Sequence, residues 1–514
     1  ALFAGSRQSL DARLFGGDRW AGGFVSLAGS FARGDGFIPV VEQDRGPADR
    51  RAPYRQGSAR GRLVQALGQA TEAHFNLAYS SDHRDRGFDG SDNRQRATDA
   101  AIRLLGRGSM PWSALVYFQD RYFNSQFASL NGTRSISTLT LDQHVPSRGW
   151  GALAEIAPRL GPLETRLGAE WRGVSGYTEE EFRFVAESPT RQREAGGQSR
   201  TIGLFAITNW SAGGLSAAIE ARLDHWAIDG GRLIETDLAG ATLTNLNFDR
   251  RSGWEGSGRL ALGRKIGSAM NVRAGAYGSW RLPTLNELYR PFRVGPDATA
   301  ANGRLDPERL RGIEAGVDWK PAGTVKLSAT MFANRLEGAI ANVTLGAGPG
   351  TFPGVGFVAA GGIYRQRHNI DSILSRGLEV DASTERGPWQ ARLSYALTKA
   401  RLRATGPGAA LDGKQPAQVP RHSASASIGW SRSDLSADLA IRYVGAQFED
   451  DINVRRLPGG LTVDSRASIP LGRRMAVELR GENLLDRRVL AGIAADGTRE
   501  RALPRTFWLG LRLR

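Results

Sequence analysis

The sequence predicts an all-β fold: a 22-stranded antiparallel up-and-down β-barrel that spans a membrane, with short periplasmic turns and long extracellular loops. Three observations carry this. Apolar and polar residues alternate at period two along much of the chain, the signature of strands with two different faces. Helical patterns are scarce. Connections alternate between tight turns and long polar segments, a segregation of lengths that fits a transmembrane barrel and not a soluble sandwich with Greek-key connections.

The alternation is plain in several places. Met475, Val477 and Leu479 interleave with Ala476, Glu478 and Arg480. Ile313, Ala315, Val317 and Trp319 interleave with Gly312, Glu314, Gly316 and Asp318. Phe507, Leu509 and Leu511 interleave with Gly510 and Arg512. Tight turns are expected at 16–19, 68–70, 106–109, 161–162, 211–214, 263–268, 321–323, 386–388, 432–433 and 471–473. Long loops rich in Gly, Pro, Asp and Arg are expected at 36–56, 84–94, 128–147, 178–198, 228–251, 282–310, 340–368, 404–419, 448–459 and 487–504. The strands then fall near 7–16, 20–34, 57–68, 72–83, 95–106, 111–126, 148–158, 163–177, 199–210, 214–227, 252–264, 268–281, 311–320, 323–338, 369–385, 388–403, 420–431, 434–447, 460–470, 474–486 and 505–514. Residues 1–5 supply the end of one more, and an even, closed count is 22.

Composition agrees. Length alone, at 514 residues, suggests about three soluble domains. No linker divides the chain, so residues 1–514 read as a single barrel. A hydrophobic share of 40% suits a wall with lipid on one side and water on the other. No apolar run is long enough for a transmembrane helix. The absence of Cys excludes disulfide scaffolds, thiolate zinc sites and thiol catalysis. Net charge is +16 and nearly all the basic residues are Arg, but they are dispersed among 52 acidic residues. That is a solvated surface and not a nucleic-acid footprint.

Specific segments carry a resemblance. Residues 281–289, RLPTLNELY, precede Asn302, Leu305, Pro307-Glu308, Glu314 and Gly316; further on come Asn369 with Gly377-Leu378-Glu379, Pro420-Arg421-His422, Glu482-Asn483-Leu484-Leu485-Asp486 and Pro504-Arg505-Thr506-Phe507. In this order, at these strand ends, they resemble the β-barrel of TonB-dependent outer-membrane receptors. The resemblance implies an active transporter in the outer membrane of a Gram-negative bacterium. It would bind a scarce solute at the surface, most commonly a ferric siderophore or similar metal chelate, with cobalamin as a rival, and pass it to the periplasm. It also implies an N-terminal plug domain, which couples to TonB and is absent from this sequence, and a chain that ends on an aromatic where this one ends at Arg514. We therefore expect an excised barrel, cut inside its first strand and one residue short at its end. Outer-membrane lipid and lipopolysaccharide are the expected surroundings, and a monomer the expected state. The rival readings are a passive porin-like diffusion channel and, more remotely, an outer-membrane barrel enzyme.

Candidate functional residues fall into two sets. Tyr289, Arg290, Phe292 and Arg293 open one long outer loop; Phe352, Phe357, Tyr364, Arg365, Arg367 and His368 lie in another. Aromatics beside Arg both stack on and pair with an anionic ligand, so these are the candidate ligand contacts. The plain alternative is an aromatic girdle or a lipopolysaccharide-facing surface. On the polar faces of strands, Glu314, Arg392, Arg442, Glu478, Arg480 and Glu482 are candidates to face the lumen or a plug. Asn302, Pro307 and Glu308 are read as shaping a loop-to-strand junction, because no His or second acid cluster accompanies them as a metal site would need. A basic run at Arg45, Arg50, Arg51 and Arg55 reads as a solvated face. No metal site, cofactor or catalytic residue is expected: the six His are scattered, and GAGPG at 346–350 lacks the Lys-Ser/Thr and following helix of a phosphate loop.

Overall fold

The computed structural model describes every residue except Gly295, Pro296 and Arg514, so the expectation for the chain's last residue lies outside the described residues. Twenty-two strands close one antiparallel barrel. They are Leu2–Gly5, Ser9–Trp20, Gly23–Gly34, Tyr54–Ala66, Thr71–Arg84, Asn93–Gly106, Trp112–Leu130, Ser137–Ile156, Leu163–Phe182, Arg191–Ala212, Leu215–Asp237, Arg251–Ile266, Met270–Arg281, Glu308–Ala322, Val325–Glu337, Ser372–Arg386, Trp389–Arg403, His422–Arg432, Leu435–Val444, Gly460–Leu471, Met475–Glu482 and Thr506–Leu513. Each pairs with its neighbours in sequence order, and Leu2–Gly5 pairs with both Ser9–Trp20 and Thr506–Leu513, which shuts the ring. Closure leaves no unpaired edge, the condition for strands to cross lipid.

The wall has two chemically different faces. One carries an exposed apolar stripe, including Leu14, Leu77, Ile102, Val116, Ile219, Ile313, Met331 and Leu509. The other carries paired charges, such as Arg222 with Glu170 at 2.8 Å and Arg466 with Glu478 at 2.7 Å. In a membrane barrel the apolar face meets lipid and the polar face lines the lumen. Short turns gather at one end. At Gly213-Gly214 both φ values are positive, 56° and 79°, the backbone that a tight two-residue hairpin requires.

Two sequence expectations need correction. Gly16 to Arg19 is not a turn: the strand continues to Trp20, which pairs with Gly23. A Cβ on Gly17 would lie 2.6 Å from the Val25 carbonyl oxygen, so this glycine serves close strand approach, which composition cannot distinguish from a bend. The segments 128–147, 178–198 and 228–251, read as loops, are largely strand. Four successive strands, Ser137–Ile156 to Leu215–Asp237, run 20 to 23 residues. Above the lipid the outer face has no apolar band to meet and the wall instead packs folded loops at scattered positions such as Glu180, Ala195 and Ile228, so the hydrogen-bonded ladder continues while the regular alternation that marks a strand disappears.

Among the described residues, compact cores form where the long loops fold. One unites Trp226 and Ile228 of the tall wall with Leu288, Tyr289 and Leu305. A second unites Ala339, Val343 and Ile370 with Leu402, Ala404 and Leu411.

Candidate functional site at the long-loop mouth

The mouth is built from a five-residue helix, Leu285–Tyr289. Its start is fixed by a capping box: the Glu287 backbone N–H donates to the Thr284 hydroxyl at 3.1 Å, and the Thr284 N–H donates to the Glu287 carboxylate at 2.7 Å. Arg281 ties this unit to two others. It donates to Glu287 at 2.9 and 3.1 Å and to Glu308 at 2.6 Å, while Glu308 accepts from the Ile340 N–H at 2.7 Å. Burial pushes the Glu287 carboxyl up, but its bonds to Arg281 and Thr284 outweigh this and hold it below the usual carboxylate range.

The helix buries its last two residues. Leu288 and Tyr289 are 0% and 1% exposed, and the Tyr289 ring lies 4.8 Å from Phe248. The seat exists because Gly231 faces it: a Cβ there would stand 2.4 Å from the tyrosine ring. Tyr289, expected among the ligand contacts, therefore has no free face and is a packing residue. The other end of the helix is held by Arg367, buried, which donates to the carbonyls of Asn286, Glu287 and Arg290 at 3.1, 3.3 and 3.2 Å. A cation on the last carbonyls complements the helix end. Burial pulls the Arg367 pKa down. Its guanidinium also lies 5.1 Å from the Phe292 ring.

Members of the two candidate sets, some sixty residues apart in sequence, come together in one small sheet of Phe292–Val294, Asp297–Ala300, Ile363–Asn369 and Ile340–Ala347, while Phe352 and Phe357 lie in a separate two-stranded ribbon, Gly350–Phe352 with Gly356–Val358. Ala298 to Ala300 run parallel to Tyr364 to Gln366. Arg365 pairs with Asp297 at 2.8 Å, and Arg293 donates to the carbonyls of Val355 and Phe357. Phe352 stacks on Tyr364 at 4.6 Å, and the Tyr364 hydroxyl donates to the Pro353 carbonyl at 3.3 Å. Arg290 reaches the tall wall, where Glu180, 1% exposed, is shared between Arg290 and Arg193, and Gln143 accepts a further Arg290 bond. Most of these cations thus hold loops together. Phe357 stays exposed at 56%, and the buried His368 Nε2 has no hydrogen-bond partner.

Sequence reasoning missed Glu180 and the seats at Gly197 and Gly231, whose partners come from distant loops. It also passed over the T-x-x-E capping box at 284–287, a signal that was present. Asn302, Asn369 and Asn483 prove to be loop clips. Asn302 donates to the Arg367 carbonyl at 2.8 Å, Asn369 to the carbonyls of Asp306 and Gly338 at 3.0 and 2.7 Å, and Asn483 to those of Arg487 and Leu503 at 2.9 and 3.0 Å. In the early basic run, Arg50 pairs with Asp85 at 2.6 Å and Arg51 with Asp35 at 3.2 Å. No group of three His, Asp or Glu able to hold a metal occurs among the described residues.

A second clamp bridges the first and last long loops. Asp44 receives two bonds from the Arg499 guanidinium, at 2.9 and 2.7 Å, and Val40 bridges to Glu500. Arg499 holds the Asp44 carboxyl at about 2, below its ordinary 3.8. A depressed carboxylate stabilises the folded form above its unfolded pKa and loses this as pH falls through the folded one. The clamp should therefore stay shut above pH ~4 and release as pH approaches 2. Hydrogen exchange of residues 35–53 across this range checks it; protection that is unchanged down to pH 2, or an identical profile in Asp44→Asn, would refute it.

With this architecture in place, comparison with known proteins is decisive. A family profile described as "TonB dependent receptor-like, beta-barrel" matches residues 5–484. The chain belongs to that family. It is 23% identical over 270 residues to the vitamin B12 transporter BtuB of Photobacterium profundum, and 25% identical over 287 residues to the ferrioxamine receptor of Yersinia enterocolitica. These alignments cover 52% and 53% of this chain but only 38% and 35% of those proteins. Among solved structures, copper transporter OprC superposes with a TM-score of 0.78 at 16% identity, covering 99% of this chain and 79% of that one. The ferric yersiniabactin uptake receptor FyuA of Yersinia pestis gives 0.74 at 15%, with 100% and 79% covered. At such identities the likeness speaks for the fold.

Within this TonB-dependent receptor barrel, the lumen candidates lie on the polar face. Glu478 is 1% exposed beneath Arg466, Arg512 and Arg480, at 2.7, 3.3 and 3.6 Å. Arg480 also covers the Phe3 ring at 3.8 Å. Glu482 accepts from the Trp508 indole at 3.3 Å, Glu314 lies 3.5 Å from Arg259, and Arg442 lies 4.0 Å from Asp464. Arg392 stands between Ser383 and Ser427, exposed.

Proposed function

We propose that this barrel is the outer-membrane channel of an active importer in a Gram-negative bacterium, which captures a ferric siderophore or similar metal chelate and delivers it to the periplasm. Membership of the TonB-dependent receptor family is the observation that carries this reading. The names of relatives, which include receptors for ferrioxamine and ferric yersiniabactin, favour a chelate. In this reading a plug domain fills the lumen, contacts polar-face residues such as Glu314, Arg392, Arg442, Arg480 and Glu482, and is pulled by TonB. The barrel performs no covalent chemistry.

The preformed loop assembly supports capture, because contacts already held in place lose less entropy on binding. Phe352, Phe357, Arg365 and His368 are the proposed ligand contacts. Tyr289, Arg290, Phe292, Arg293, Tyr364 and Arg367 brace them. The test is growth of an iron-starved strain on a panel of ferric chelates, with and without the full-length gene. Growth on at least one chelate only when the gene is present is the expected result; no difference on any would refute the proposal. The double variant Phe357→Ala/Arg365→Ala should weaken chelate binding about tenfold or more, roughly 1.4 kcal/mol. Unchanged binding would remove these residues from the site.

A further inference from the structure

At the short-turn end the lipid-facing wall bears tryptophans. Trp20, Trp112, Trp319 and Trp389 are 39–52% exposed there. Two adjacent hairpins add cations to this ring. Arg386 is the register partner of Trp389, and Trp389 is the register partner of Trp430. Arg432 is two residues beyond Trp430 on the same strand face and pairs in register with Leu435, which belongs to the exposed apolar stripe. Arg386, Trp389, Trp430 and Arg432 therefore share one outward-facing patch at the border of the apolar band. Glu385 alternates to the opposite face, and Asp434 occupies the turn.

Many cations at the mouth are drawn into ion pairs with carboxylates of the long loops, although Arg250, Arg304 and Arg487 there are exposed without one among the described residues. Arg50, Arg134, Arg290, Arg365 and Arg499 of the long loops are each engaged by a carboxylate. Arg386 and Arg432 are exposed and make no ion pair or side-chain hydrogen bond among the described residues; the same holds for Arg264, Lys265, Lys320, Lys326, Arg473 and Arg474 along this rim. Unpaired guanidiniums at the level where indoles sit among lipid headgroups face phosphates. Clustered Lys and Arg beside a membrane boundary select anionic lipids over zwitterionic ones.

We propose that Arg386 and Arg432, flanked by Trp389 and Trp430, form a binding site for the phosphate headgroup of an anionic phospholipid in the leaflet at the short-turn end. The guanidiniums grip the phosphodiester from two hairpins, and the indoles pack against the glycerol backbone. This rests on the barrel being embedded in a membrane, a condition the test reads separately.

The purified chain is first inserted into phosphatidylcholine vesicles, and its shifted, heat-modifiable migration on gels reports the folded barrel. Native mass spectrometry in detergent with equal phosphatidylglycerol and phosphatidylcholine then reads lipid retention. We expect about tenfold tighter retention of phosphatidylglycerol, lost in Arg386→Gln/Arg432→Gln and kept in the long-loop variant Arg50→Gln. Equal retention of both lipids by the folded barrel overturns the proposal, as does selectivity that survives in the double variant. Displacement of the lipid by inorganic phosphate, but not by chloride at equal ionic strength, would make the site one for free phosphate and would also overturn it. Failure to insert would instead refute the membrane embedding.

Discussion

Glu478→Ala is expected to destabilise barrel closure by roughly 3 kcal/mol, the low end of the range for breaking a buried charge cluster. The carboxylate is 1% exposed and lies where the last strands meet the first. Its register partner Gly510 is also the partner of Phe3. Three guanidiniums converge on it, so alanine leaves like charges facing one another with no counter-charge. The arginines are 22–54% exposed and partly hydrated, which limits the cost. The seam is otherwise thin, since Leu2–Gly5 contributes only four residues to each pairing. Urea melts of the folded barrel in micelles, read by heat-modifiable migration, give the magnitude. Coincident melts of variant and parent would show that the cluster is not a closure element.

Tyr289→Ala should detach the helix 285–289 from the tall wall, with a loss of about 3–5 kcal/mol in loop docking, the range for truncating a buried aromatic. Tyr289 is 1% exposed and packs with Trp226, Ile228, Leu288 and Leu305. Losing it removes the floor on which residues 292–294, 297–300 and 363–369 pair. The barrel below should stay closed, because its ladder does not pass through this cluster. Limited proteolysis should accordingly cut residues 282–307 and 340–369 much faster, with no change in the melt of the wall. Gly231→Ala should reproduce the effect from the opposite side, because the new Cβ would overlap the tyrosine ring. Equal protease resistance in both variants would refute the latch.

The barrel was legible because its determinants are local and repetitive. Alternation at 475–480 and 313–319 and tight turns such as 386–388 each report on a few residues, and together they set strand number and closure. The motif residues were legible as a family pattern, but their work was not. Asn369 reads as a strand-start residue, yet its side chain clips the Asp306 and Gly338 carbonyls from other segments. Arg290 and Arg367 read as ligand-seeking cations. Only the folded mouth shows that Glu180 already engages Arg290 and that the carbonyls of Asn286, Glu287 and Arg290 already engage Arg367.

What the sequence determined by itself is the wall: period-two patterning specifies which face meets lipid, and a one-residue slip would turn every apolar side chain into the lumen. The height of the wall at residues 137–237 and the assembly of the mouth were decided by tertiary structure. Above the lipid no hydrophobic alternation enforces a register, and cross-strand hydrogen bonds, glycine seats such as Gly231 and ion pairs between distant loops take over. Those contacts join residues far apart in sequence, and the identity of either partner alone does not reveal them.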